Sequence, residues 1–131
     1  MKFTLTLFTA LMVALSVPAK AANLELVNAP ATGGPGKFAA EEIRREATAK
    51  GITLGEDAQA TRVVLTVGKE GAAQSYGIRV QNEGGRRVIT VRGADAAGAM
   101  YGGLDVAEAI RTGTLDALKD SDHTPQLQQT T

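Results

Sequence analysis

Two alternating runs separated by a glycine pair constrain this chain more than anything else in it. In residues 76–81, Tyr76, Ile78 and Val80 alternate with Gly77, Arg79 and Gln81. In residues 87–92, Ile89 and Val91 share one side while Val88 and Thr90 point the other way. The intervening Asn82-Glu83-Gly84-Gly85 is turn chemistry, because glycine reaches positive φ without a steric penalty, so the two runs predict a β-hairpin. A helix follows. Asp95 is a good N-cap, residues 96–111 place Ala97, Met100, Tyr101, Leu104 and Ala107 at helical spacing, and Gly113 ends the run. Inside a helix Gly98, Gly102 and Gly103 each cost about 1 kcal/mol relative to alanine, so their presence asks for a packing reason. The expected one is close approach of this helix to another backbone at Gly98 and Gly102, with Met100, Tyr101 and Leu104 held against the sheet. A membrane dimer built on Gly98-x-x-x-Gly102 conflicts with Asp95, Asp105, Glu108 and Arg111 in or beside the same helix.

The elements upstream complete a layer. Residues 23–28 alternate Leu24 and Leu26 against Glu25 and Val27 and stop at Ala29-Pro30, a short strand. Residues 31–36, Ala-Thr-Gly-Gly-Pro-Gly, read as a flexible loop. Residues 37–50 lack Gly and Pro, set Phe38 or Ala39, Ile43 and Ala47 on one face and Glu41, Glu42, Arg44, Arg45 and Glu46 on the other, and precede Gly51: a helix. The β-branched run 62–67, closed by Gly68, reads as a largely buried strand. The order β-α-β-β-β-α predicts an α+β fold, a small mixed or antiparallel sheet with two helices packed on one face. One domain over residues 22–118 fits, followed by a polar and loose tail over 119–131.

The first 21 residues are an address. Lys2, an apolar stretch over residues 3–17, Pro18 and then Ala19-Lys20-Ala21 form a secretory signal peptide with cleavage before Ala22. The apolar stretch falls short of the about 20 residues needed to span a bilayer and carries Thr4, Thr6, Thr9 and Ser16. The chain has no cysteine, which excludes a lipoprotein anchor at the cleavage site. A secreted or periplasmic product is expected, with no membrane attachment after cleavage. The whole chain balances 14 basic against 14 acidic side chains, and cleavage removes Lys2 and Lys20 but no acid, giving a net charge of −2. No run of like charge could neutralise a stretch of phosphates, so nucleic acid is not an expected partner.

Catalytic chemistry is hard to place. His123 is the only histidine, and with no cysteine a metal site would rest on carboxylates such as Asp120 and Asp122; no metal or cofactor is expected. Gly36-Lys37 lacks the glycine at position 31 and the hydroxyl at position 38 that a phosphate loop requires. Ser75 and Ser121 lack the Gly-x-Ser-x-Gly setting. Asp105 with Glu108, and Glu42 with Glu46, each share a helix face, and glycoside hydrolysis uses two carboxylates set close together. Their basic neighbours Arg45, Lys50 and Arg111 read instead as exposed helical ion pairing. No catalytic residue is assigned.

The segments Tyr76-Gly77-Ile78-Arg79-Val80 and Val88-Ile89-Thr90-Val91-Arg92-Gly93-Ala94-Asp95-Ala96-Ala97-Gly98-Ala99-Met100-Tyr101-Gly102-Gly103-Leu104-Asp105-Val106-Ala107-Glu108 resemble the N-terminal domain of family 20 and family 67 glycoside hydrolases. These are β-N-acetylhexosaminidases and α-glucuronidases, in which a hairpin and helix of this pattern precede a catalytic (β/α)8 barrel. The resemblance reaches back through the helix near residues 39–50 and the strand at 63–68. It implies a non-catalytic domain, and it gives the glycines a structural role in packing the helix on its sheet. His123-Thr124-Pro125-Gln126-Leu127 looks like the approach to the barrel, but Gln128-Gln129-Thr130-Thr131 stands where the family has Arg-Gly. The barrel and its carboxylates are therefore expected to be missing from this chain. The resemblance implies a secreted accessory domain related to carbohydrate-active enzymes, docking on a glycoside hydrolase catalytic domain or on a second copy of itself. The alternative is an independent glycan- or protein-binding module, for which the aromatic supply of Phe38, Tyr76 and Tyr101 is thin. The exported protein is expected to begin at Ala22; N-terminal sequencing checks this, and a product retaining Met1 would refute the signal assignment.

Overall fold

The computed structural model describes residues 23–125. The signal peptide expected over 1–21 and the last six residues of the expected tail, 126–131, lie outside the described residues. Five strands form one mixed sheet in the order β1-β2-β4-β3-β5: β1 (Leu24–Asn28), β2 (Thr61–Val67), β3 (Tyr76–Glu83), β4 (Arg86–Gly93) and β5 (Ser121–His123). Two helices, α1 (Gly33–Ala49) and α2 (Ala96–Arg111), pack against each other and on the sheet. The α+β order β-α-β-β-β-α is present, with β5 added at the end.

The predicted hairpin is β3 and β4, antiparallel from the Tyr76–Gly93 pair to the Glu83–Arg86 pair. Its loop is only Gly84-Gly85, at φ of 59° and 82°. Both central residues of such a turn need positive φ, which makes glycine the natural occupant at each. Asn82 and Glu83 belong to the strand. On the far side of β4 lies β2, paired in parallel, and beyond it β1, also parallel. Parallel neighbours cannot be joined by a tight turn, and α1 provides the crossover from β1 to β2.

Register sorts the side chains into two sets. Leu24, Val63, Leu65, Ile78, Ile89 and Val91 are at most 1% exposed and, with Ala39, Ala40, Ile43, Ala47, Val106 and Ile110 of the helices, form the core. Between them in β2, Arg62, Val64 and Thr66 are only half-buried. Thus β2 alternates, and the expectation of a largely buried strand is corrected: the helices cover one side of the sheet alone. On the other side Glu25 receives Arg62 Nε at 2.7 Å and Arg86 Nη2 at 3.1 Å, linking β1, β2 and β4. These two guanidinium groups, Arg62 foremost, hold the Glu25 carboxyl below its usual range. The stabilisation is present above the ordinary carboxylate pKa and is lost as pH falls through the lowered value.

Two expectations change along the chain. The loop expected over 31–36 is instead a 3-10 turn, Pro30–Thr32, running into α1, which begins at Gly33. Pro35 sits in the first turn, where its missing N–H costs nothing, and Gly36 is buried. Of Phe38 and Ala39, it is Ala39 that is buried, while Phe38 is half exposed. The tail expected to be loose from residue 119 also has structure. Arg87 donates to the carbonyls of Asp116, Leu115 and Leu118, each at 3.0 Å, and secures a second 3-10 turn, Leu115–Ala117. Beyond it Asp120 accepts the Val80 N–H at 2.8 Å, Asp122 pairs with Arg79, and residues 121–123 add β5 to the edge of β3.

The larger correction concerns the phase of α2. The side chains turned inward are Ala99, Val106, Ala107 and Ile110, with Gly98, Gly102 and Gly103 beside them, whereas Met100 and Leu104 pack at the border of the core and Tyr101 is 42% exposed. Glycine dictates the choice. A Cβ on Gly98 would stand 2.1 Å from the Ser75 carbonyl oxygen, one on Gly102 2.3 Å from a Val91 methyl and 2.7 Å from the Tyr76 ring, and one on Gly103 2.8 Å from Ala39 Cβ. The helix lies so close to β3, β4 and α1 that nothing larger than hydrogen fits at its line of contact.

The obstacles at Gly98 and Gly103 differ in kind. At Gly98 the obstacle is backbone that is itself hydrogen-bonded, since Ser75 O accepts Ala94 N–H at 2.8 Å. At Gly103 it is a methyl group on a helix that can shift, and alanine recovers about 1 kcal/mol of helix propensity. Gly98→Ala is expected to destabilise by about 3 kcal/mol, the upper part of the overpacking range, and Gly103→Ala by about 1 kcal/mol or less. Urea unfolding of the two variants checks the order; equal losses would mean that the Ser75 contact is not maintained.

Candidate functional site

Along the edge where α2 meets β3 and β5, the structure gathers its densest set of aromatic and titratable side chains. Tyr76, the first residue of β3, is 8% exposed and directs its hydroxyl across to the Asp105 carboxylate on α2, to which it donates a short hydrogen bond. His123 of β5 is its register partner across the strand pair and stacks on the tyrosine ring, with centroids 4.6 Å apart and planes 11° from parallel. His123 Nε2 lies 2.9 Å from Ser121 Oγ on the same strand. Tyr76, Asp105 and His123, together with Tyr101, Leu104 and Pro125, line a shallow groove of about 460 Å³.

The electrostatics of the cluster point away from acid–base chemistry. Burial, and then the hydrogen bond to Asp105, push the Tyr76 phenol well above its ordinary pKa of 10.0, so it remains a neutral donor. Glu108, one turn along α2, is held below its usual range by Arg111, whose Nε donates to it at 2.8 Å. A general acid for glycoside cleavage needs the opposite, a carboxyl whose pKa is raised. Asp105 is occupied by a tyrosine and Glu108 by an arginine. On α1, Glu42 is likewise engaged by Arg45 at 2.7 Å. Of the carboxylates that share a helix face, Asp105, Glu108 and Glu42 are thus engaged in structural contacts.

The other sequence-predicted groups fall as follows. Gly98 and Gly102 line the contact of α2 with the sheet, Met100 and Leu104 flank it, and Tyr101 stands in the groove rather than in the core. Asp95 caps α2, its Oδ1 accepting Gly98 N–H at 2.8 Å and its Oδ2 accepting Gln74 N–H at 3.0 Å; these bonds, Gln74's first, lower its pKa. Asp122 is taken by Arg79 and Asp120 by the β3 backbone. Among the described residues no group of three or more histidine, cysteine or acidic side chains is disposed to hold a metal ion. Among them, too, no helix is long and apolar enough to cross a membrane. By sequence, His123 belongs to the polar tail and Tyr76 to a strand of the hairpin, with nothing to join them. Only the pairing of β5 with β3 joins them, and three polar residues give no periodic signal of a strand.

Comparison with solved structures places the fold. A GH138 enzyme targeting pectin rhamnogalacturonan II superposes with a TM-score of 0.60 at 18% identity, over 78% of this chain and 15% of its own. A family GH115 4-O-methyl-α-glucuronidase with specificity for decorated arabinogalactans superposes at 0.47 and 15% identity, over 69% of this chain and 14% of its own. The chain therefore has the fold of a small part of a large glycoside hydrolase and spans about 15% of that enzyme's length. No family model matches the sequence, and no curated protein matches it.

The tyrosine pair makes the cluster measurable, because the chain has 2 tyrosines. In Tyr101→Phe, Tyr76 is the sole phenol. Its raised pKa favours the protonated form in the folded state, so its contribution to stability is complete below about pH 10 and falls as pH rises towards the raised value. Ultraviolet titration of this variant is expected to show ionisation displaced upward from pH 10. Tyr101→Phe combined with Asp105→Asn is expected to bring it partway back. A midpoint near 10 in the first variant would mean that neither the burial of the Tyr76 ring nor the Asp105 contact persists.

Proposed function

We propose that this protein is an exported, non-catalytic accessory domain of the carbohydrate-active kind, and that it docks on a glycoside hydrolase catalytic domain. The observation that carries the reading is the superposition on a segment amounting to 15% of a GH138 enzyme. A fold of this size within so long a chain is suited to a supporting role beside the catalytic part. The resemblance of residues 76–108 to the N-terminal domain of family 20 and family 67 hydrolases, β-N-acetylhexosaminidases and α-glucuronidases, supports the same reading. So does the engagement of Asp105 by Tyr76, of Glu108 by Arg111 and of Glu42 by Arg45.

The groove beside α2 is the surface best suited to docking. Tyr101 is a large apolar side chain left 42% exposed, and Leu104 and Pro125 extend the patch. Tyrosine with a partly buried apolar neighbour is the composition of an interface anchor. The partner would be a hydrolase domain rather than a bare glycan: one face of His123 is already stacked on Tyr76, which leaves Tyr101 as the groove's large exposed aromatic, a thin platform for a sugar but sufficient as a protein anchor.

Two measurements test this. Purified protein is expected to release no sugar from aryl β-N-acetylglucosaminides, glucuronosyl xylo-oligosaccharides or rhamnogalacturonan II. Turnover abolished by Asp105→Asn with Glu108→Gln would refute the non-catalytic reading. For the docking surface, Tyr101→p-benzoylphenylalanine is irradiated in the producing cells, and the expected adduct is a glycoside hydrolase polypeptide. An adduct with a second copy alone, or none, would refute docking on a hydrolase.

A further inference from the structure

The side of the sheet turned away from the helices carries a second surface, unrelated to the α2 groove. From β3 it presents Gly77, Arg79 and Gln81, and from β4 Thr90 and Arg92, the residues alternate to those in the core. Gly68, Lys69 and Glu70, immediately after β2, close one end, and the whole forms a groove of about 420 Å³. That volume lies within the about 300–1,000 Å³ typical of small-ligand sites. Gly77 is its floor. A Cβ there would lie 2.9 Å from Asp122 Oδ1, 3.3 Å from Lys69 Cε and 3.5 Å from Arg79 Nη1, so these side chains converge over a position that has none of its own.

Charge in the groove is unevenly satisfied. Arg79 is fixed, with Nη2 on Asp122 at 2.9 Å and 3.2 Å and Nη1 on the carbonyls of Ile78 and Ser121 at 2.9 Å and 3.1 Å. Lys69 has only a long contact of 3.5 Å to the Glu70 carbonyl. Neither Lys69 nor Arg92 has an ion-pair partner among the described residues. Glu70 is the one acid in the lining and, with Arg79 neutralised by Asp122, it stands against Lys69 and Arg92, a surplus of one positive charge. At the opposite end of the same face, by contrast, Arg62 and Arg86 are both consumed by Glu25. A positive surplus thus sits over a concave floor beside the Thr90 hydroxyl and the Gln81 amide, in a protein of no net positive charge.

Resting on the carbohydrate reading above for the choice of a sugar, we propose that this groove binds a carboxylate-bearing sugar residue, a hexuronate within an acidic glycan. Arg92 and Lys69 take the carboxylate, the guanidinium plane matching its two oxygens. Thr90 and Gln81 face the ring hydroxyls, and Arg79, already locked by Asp122, forms a rigid wall. Because the groove is open to solvent, salt weakens the interaction.

The experiment is an amide chemical-shift titration of the isotope-labelled protein with three probes: digalacturonic acid, the neutral disaccharide galactobiose, and sodium sulfate. Saturable shifts centred on Gly77, Thr90 and Arg92 are expected with digalacturonic acid alone. Arg92→Gln and Lys69→Gln are each expected to weaken binding at least about tenfold, since each removes a charged hydrogen-bond donor, while amides remote from the groove keep their positions. Equal shifts with sulfate would make this a plain anion site and overturn the sugar assignment. Equal shifts with galactobiose would overturn the role of the carboxylate, and no shifts with any probe would overturn the site. The groove and the α2 edge lie on opposite sides of the sheet, so failure here leaves the docking proposal standing.

Discussion

The fold depends on the contact between the N-terminal turns of α2 and the backbone at Ser75. The Ser75 carbonyl accepts the Ala94 N–H and lies against the bare Cα of Gly98, while Asp95 bonds at once to Gly98 N–H and Gln74 N–H. The loop before β3, the end of β4 and the first turn of α2 are thereby one unit. Once the helix is seated there, its rotation about its own axis is determined. Gly102 must meet Val91 and Tyr76, Gly103 must meet Ala39, and Val106 and Ile110 follow into the core. Tyr101, displaced from that line by one position, has nowhere to go but outward.

This explains why the existence of α2 could be read from the sequence and its facing could not. Hydrophobic periodicity weights large apolar residues, and Met100, Tyr101 and Leu104 form a plausible stripe at i, i+1 and i+4. Small residues carry little weight in such a pattern, yet here they form the contact, because dispersion and backbone proximity reward the closest approach. The glycines were the correct signal that α2 approaches another backbone; what they also imply, that the glycine side is the buried side, opposes the periodicity. The hairpin was legible for the converse reason. A two-glycine turn between alternating runs specifies register locally, with no reference to the rest of the chain.

The C-terminal segment shows a different limit. Asp120, Ser121, Asp122 and His123 look like a solvated run, in which the two aspartates are poor strand formers. They order because β3 offers an open edge and specific polar partners: the Val80 N–H for Asp120, Arg79 for Asp122 and the Tyr76 ring for His123. Such matching exists only between elements some 40 residues apart in the chain, as the separation of Arg79 from Asp122 illustrates. A short, charged strand is also a suitable way to end a sheet, since it offers a poor template for pairing with another molecule.

The two sides of the sheet impose different requirements on any partner. On the helix-free side Val88 is only 5% exposed although no helix covers it. Arg62 is its register partner on β2 and Arg86 precedes it on the same face, and the methylene stems of arginine shield apolar surface while their charged ends remain in contact with Glu25. That side is therefore already closed by the chain's own side chains at the β1 end and polar at the β3 end, so a protein layer laid over it would have to bury charges at a net cost. The α2 edge presents a lower barrier: Asp105 is held by Tyr76 and Glu108 by Arg111, and Tyr101, Leu104 and Pro125 supply apolar surface beside the exposed His123 and Gln74. A hydrolase domain on the helix side would leave the charged groove facing solvent, free for a soluble acidic glycan.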